Sequence, residues 1–482
     1  MKVDRCSLEW AETEFGDAEL GDRRRGRRLI RMAATMALRP AGRICQVFTT
    51  SAERQGAYDL VANHALDPNK VLASAARAAC CRAQESEVIV AVDGTSLTLV
   101  DRGKKKGFGP IGALQKKARG LKVISAYAIS TDGTPLGLLS QTWWNRSEGP
   151  MRQRYSRPLG DKETRHWLDT MTEATARVAE VGRDLRLCFV ADRECDSRHV
   201  LETLDAFAAS GHTFIVRSSA NRRVFQGEKT RKDGRRRADR IYVKDRLAKT
   251  RSYGTYRLQV PAGPGRAARI ACMSVRAVEV SVRIVNRQND VVRALRLNFV
   301  ETHEIWTCPR GETPIHWRLL TNIPAVDSDA ARQVIDRYSL RWRIEEFHRT
   351  WKSGRCNIET TQLRQRSHVI RWATLMAPVA TRIERLKALS RTQPDLLATT
   401  EFSQDELEAL RMEKEQTKRR NEVLPRGTPT LAQAVLWVAE MGGYTGKSSG
   451  GPPGAITIGR GLERLRIAAN VLKQLRSAGK IR

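Results

Sequence analysis

The chain has 482 residues and carries 85 Lys and Arg against 53 Asp and Glu, a formal charge of +32. That length suits about three domains at roughly 100 to 200 residues each, and a pI near 10.4 points to a polyanionic partner, nucleic acid above all. That length excludes a peptide, a repeat or a fibre, and the nine cysteines, odd in number and with no C-x-x-C pair or zinc-ligand spacing, fit a reducing cytoplasm.

Acidic residues stand where a secretory signal would have its apolar core, and no apolar run is long enough to span a bilayer. A soluble cytoplasmic protein with no membrane partner is therefore expected. Residues 1 to about 70 read as a helical N-terminal domain. Asp22 is placed to cap a helix whose apolar positions Leu29, Met32, Ala33 and Met36 recur at helical spacing. Its other face holds Arg23, Arg24, Arg27, Arg28 and Arg31 without an acidic partner in the run, the pattern of a phosphate-contacting helix.

From about residue 86 the texture becomes β-rich. EVIVAVDGTSLTLV, LKVISAYAIS and TPLGLLSQTWW predict three adjacent antiparallel strands. A helix over about 162–182, a buried strand LRLCFVADRE, a helix over about 198–210 and a strand HTFIVRS follow, so the core is mixed α/β. Residues 219 to about 310 interrupt it with a basic loop, RKDGRRRADR, and several β-branched runs that read as an inserted β-rich subdomain. After a short strand HWRLLTN, one long helix is expected over about 329–352, within a catalytic domain spanning 71–365. A helical C-terminal domain, 366–482, completes the chain.

Asp93 follows the apolar run VIVAV and Asp192 follows LCFVA, so both carboxylates are expected at strand ends. Tyr338, Arg341, Glu345 and Lys352 fall at offsets 0, 3, 7 and 14, along one helix face, beside an apolar stripe of Leu340, Ile344, Phe347 and Trp351. The stripe would seat the helix on the sheet and bring Glu345 to the two aspartates. Three clustered carboxylates repel one another unless cations neutralise them, so the set makes sense as an oxygen-only site for Mg²⁺ or Mn²⁺. Two such ions suit in-line attack on a phosphodiester, with Tyr338, Arg341 and Lys352 holding flanking phosphates.

With these residues the chain resembles the bacterial cut-and-paste DDE transposases of insertion sequence family four. The resemblance rests on Y-x2-R-x3-E-x6-K at Tyr338, Arg341, Glu345 and Lys352, and on LGDRRRGRRL, QGAYDLVAN, VDGTSL, ADRECD, SQTWW and VAEMGGY. It implies an RNase H-like catalytic core, catalytic and metal-binding roles for Asp93, Asp192 and Glu345, and two ions per site. It also implies a DNA-end contact at Arg217, base stacking on Trp317, and a homodimer that pairs two transposon ends, acts through a hairpin intermediate and inserts them into target DNA. A catalytically silent transposase-derived DNA-binding regulator and a repair nuclease are the rival readings; the intact triad argues against the first and the basic N-terminal helix domain against the second.

Overall fold

The computed structural model describes residues 5–112, 118–146, 158–219, 221–230, 236–260, 267–285, 291–446 and 451–478. Helices α1 (Arg5–Phe15), α2 (Arg23–Leu38), α3 (Ile44–Val47), α4 (Ser51–Ala62) and α5 (Pro68–Arg82) open the chain. Asp22 caps α2 as its residue type dictates, accepting from the Arg24 backbone N–H at 2.8 Å. Leu29, Met32, Ala33 and Met36 are buried, while Arg23, Arg24, Arg27, Arg28 and Arg31 are exposed.

The central elements are β1 (Glu87–Thr98), β2 (Gly109–Pro110), β3 (Arg119–Ile129), β4 (Pro135–Trp144), α6 (Thr164–Glu180), β5 (Arg186–Ala191), α7 (Arg198–Ala208) and β6 (Thr213–Arg217). Strand β3 pairs antiparallel with β1 and β4, and β5 runs parallel to β1 and β6. This is the mixed, RNase H-like sheet that was expected. Along β1, Val88, Val90 and Val92 enter one apolar core and Ile89 and Ala91 another. Burial on both faces explains the unbroken apolar run, and each valine or isoleucine in it contributes roughly 1.5 to 3 kcal/mol of burial energy before chain entropy is set against it.

The insertion contains β7 (Arg223–Thr230), β8 (Arg236–Tyr242), α8 (Val243–Ala248), β9 (Gly254–Val260), β10 (Arg269–Val285) and β11 (Val291–Glu304), and β12 (His316–Thr321) follows. These strands continue the central sheet, in the order β6-β12-β11-β10-β7-β8, with β9 on β10. The basic run RKDGRRRADR is not simply a loop. Its residues 231–235 lie outside the described residues, and 236–240 belong to β8, which pairs with β7.

Helices α9 (Ser328–Ser339), α10 (Trp342–Lys352), α11 (Arg366–Thr392), α12 (Gln404–Thr417), α13 (Leu431–Met441) and α14 (Ala455–Ser477) complete the structure. Of the Gly/Pro/Ser stretch between α13 and α14, residues 447–450 lie outside the described residues. The single helix expected over 329–352 is two helices. At the junction the Arg341 N–H bonds the Tyr338 carbonyl and the Ile344 N–H bonds the Arg341 carbonyl, a tightened i to i−3 pattern that breaks the α-helical ladder.

Helix α11 ties the N-terminal helices to the core. Trp372 Nε1 donates to the Gly42 carbonyl at 2.9 Å, and Arg371 donates to the carbonyls of Leu66 and Val61. Gly42 has no room for a side chain, because a Cβ there would collide with the Asn357 carbonyl. A third apolar core unites the end of α11 with α12, α13 and α14. No helix among the described residues is long and apolar enough to cross a membrane, and the described cysteines are free thiols.

Candidate active site

The parallel ladder between β1 and β5 ends at the rung Val92–Ala191. Asp93 and Asp192 are the next residues on these neighbouring strands, which lie about 4.8 Å apart. Asp192 does end its strand: it caps the 3-10 turn Arg193–Cys195, accepting from the Glu194 N–H at 2.8 Å. Asp93 does not end its strand. Strand β1 runs on to Thr98 against β3, with Asp93 opposite Ser125, because polar residues after Val92 can still pair on that side once β5 has turned away.

Helix α10 is fixed over this sheet edge by its apolar stripe. Phe347 stacks on Tyr127 of β3 with ring centroids 4.8 Å apart, and Trp351 meets Trp143 of β4 at 5.7 Å. Ile344, Phe347 and Trp351 are fully buried and Leu340 is half-buried, as the spacing predicted. The helix therefore presents Glu345 to the two strand carboxylates.

Arg341 lies between them. Its Nη1 is 3.3 Å from Asp93 Oδ2 and its Nη2 is 2.6 Å from Glu345 Oε1. Burial pushes the Asp93 carboxyl up to about 7; Arg341 opposes this shift, and the charges of Asp192 and Glu345 add to it. The three carboxylates thus share one electrostatic environment. Burial would lower the Arg341 guanidinium, but Asp93, Tyr338 and Glu345 reverse that and hold it above its ordinary value.

Among the described residues, no three His, Cys, Asp or Glu side chains stand close enough to hold one ion. The donor chemistry nevertheless suits a hard divalent cation: the candidate ligands are carboxylate oxygens alone, and a bound cation would favour the ionised form of Asp93 against its burial. Arg341 supplies the positive charge between Asp93 and Glu345.

The other expected residues divide into three groups. Tyr338 is buried against Trp317, edge to face with centroids 5.4 Å apart, and Trp317 is half-buried. Arg217 ends β6 beside them and donates to the His316 carbonyl at 3.1 Å. At the far end of α10, Lys352 donates to Thr95 Oγ1 at 3.0 Å and faces Glu359 at 3.8 Å. The α2 arginines lie elsewhere, on a helix that packs against α1, α4 and α11. Thr95 and Glu359 were missed from the sequence. Two-residue alternation along β1 puts Thr95 on the face of Asp93 and was the available signal; Glu359, which accepts from the Thr98 N–H at 2.8 Å, had none.

Carboxylates at the ends of paired strands beneath a helix, in a strongly basic chain, are the arrangement expected of enzymes that act on DNA phosphodiesters. Three family models match the chain: a transposase DNA-binding model over residues 7–66, a transposase DDE domain over 161–380, and a transposase Tn5 dimerisation domain over 378–480. The chain belongs to the DDE transposases. It is a DNA transposase with a DNA-binding and a dimerisation region, and its family implies dependence on a divalent metal. Asp192 and Glu345 fall inside the matched DDE segment; Asp93 precedes it.

Proposed function

We propose that the chain carries out cut-and-paste transposition through Asp93, Asp192 and Glu345, in the manner of insertion sequence family four. The observation that supports this best is the convergence of the two strand carboxylates, one rung past the β1–β5 ladder, with Glu345 on the overlying helix. Two Mg²⁺ or Mn²⁺ ions held by these residues would supply Lewis-acid activation of the attacking oxygen and neutralise charge on the leaving oxygen.

The chain's own residues do the positioning. The exposed arginines of α2 hold phosphates of the transposon end, and Arg217 faces the cleaved end. Trp317, set against Tyr338, offers an aromatic face to an extruded base while a hairpin forms. Arg341 balances the carboxylate charge and is placed to turn to a phosphate when metal is bound. Two copies pair two ends through the C-terminal helices.

The silent-regulator reading draws on one observation, the Arg341 guanidinium seated between Asp93 and Glu345. A cleavage assay on the element's terminal repeats separates the readings: metal-dependent nicking followed by a hairpin supports the transposase, and binding without cleavage under any divalent metal supports the regulator.

A further inference from the structure

The loop joining β11 to β12 holds Trp306, which is 89% exposed and has a backbone φ of 61°. That left-handed conformation is costly for a bulky side chain and persists only where its surroundings impose it. Here they do. The Ile305 N–H donates to the Cys272 carbonyl and the Thr307 N–H to the Ile305 carbonyl. Thr307 Oγ1 accepts from the Cys272 N–H at 2.8 Å and donates to Glu304 at 3.0 Å. Arg269 pairs with Glu304 and Glu312 under the loop, offsetting one of their two charges, while Arg310 is exposed beside it.

The loop lies on the same edge of the sheet as the carboxylates. Across the paired strands, Ala191 is level with Val216, Leu320 and Phe299, so Asp192 is level with Val300. Glu304 is four residues further out and three strands across, which puts the loop about 20 Å from Asp192, or about six base-pair steps along a duplex. A fixed, solvent-facing indole at that distance has no role in the core and none at the reacting phosphate.

We propose that Trp306 is a second DNA-stacking residue, which takes the face of a base exposed by distortion of the duplex about six steps from the reacting phosphodiester. The proposal rests on the reading that this sheet edge faces DNA. The base can come from the transposon end or from target DNA, since both offer the same aromatic face.

The test measures equilibrium binding by the full chain, without divalent metal, to a duplex carrying a short single-stranded gap and to the same duplex unbroken. Trp306→Ala should lose roughly five- to hundredfold in affinity for the gapped duplex and little for the unbroken one. Trp306→Phe should keep most of the gap preference, and Trp306→Leu should behave as Ala does. A gap in the element's own terminal repeat, compared with one in unrelated DNA, assigns the base to the transposon end or to the target. The proposal is overturned if Trp306→Ala binds both duplexes as the wild type does or weakens on both equally, or if Trp306→Leu keeps the wild-type gap preference. Asp93→Ala should keep the gap preference, so failure of the catalytic assignment would show in cleavage and leave this measurement standing.

Discussion

Arg341 and Asp93 stand 3.3 Å apart, and the same guanidinium reaches Glu345 at 2.6 Å. One cation thus offsets two carboxylates that belong to a proposed metal site. Replacing it by a neutral group, Arg341→Gln, should destabilise the metal-free protein by about 1 to 3 kcal/mol, because two partly buried acids lose their partner. Mg²⁺ should recover more stability in the variant than in the wild type, read by urea denaturation with and without the ion. Equal recovery would mean that Arg341 and metal do not share these carboxylates.

Trp317 offers a kinetic test. If it stacks on an extruded base, Trp317→Ala removes roughly 1 to 3 kcal/mol from the hairpin step and slows that step by about tenfold or more. First-strand nicking should be nearly unchanged, with Trp317→Phe in between. Trp317 also packs on Tyr338, so a parallel fall in both steps with loss of soluble protein would assign it to packing alone.

The α2 arginines have exposed side chains, and their helix contains no acidic residue. Replacing Arg27 and Arg31 by Ala should weaken binding to a terminal repeat. The slope of log affinity against log salt should fall by about 0.9 for each phosphate that the variant no longer neutralises. An unchanged slope would make this a solvated face.

His348 supplies a pH test of the fold. It is buried on α10 with its Nε2 unpartnered, and burial, with Lys352 and Arg341 adding, lowers its pKa from 6.5 to about 3. The unfolded chain therefore takes up a proton that the folded chain refuses. Stability from neutral His348 is complete above pH 6.5 and declines as pH falls toward 3, at about 1.4 kcal/mol per unit. Between pH 6.5 and 5 the wild type should lose about 2 kcal/mol more than His348→Leu in urea denaturation; equal losses would mean that His348 is protonated in the folded state.

Local pattern revealed much of this molecule. The α2 cap at Asp22, the antiparallel triplet β1, β3 and β4, and the apolar stripe Ile344, Phe347 and Trp351 all follow from spacing between near neighbours. Pairings across long separations did not. Residues of β11 meet β12, and β12 meets β6 about 100 residues earlier in the chain, so the insertion could not be seen to extend the central sheet. The break at Leu340–Arg341 carries no Gly or Pro to announce it. Arg341 and Glu345 were legible as an i, i+4 pair, but the turn of that pair toward Asp93 depends on how α10 is seated by Tyr127 and Trp143.

The most direct test of the central assignment is cleavage of terminal-repeat DNA by Asp93→Ala, Asp192→Ala and Glu345→Ala in Mg²⁺, with end binding measured on the same preparations. Phosphate contacts on α2 should keep binding near the wild-type level, while the loss of any one carboxylate abolishes nicking and hairpin formation. Normal cleavage by any one of the three variants would contradict the assignment.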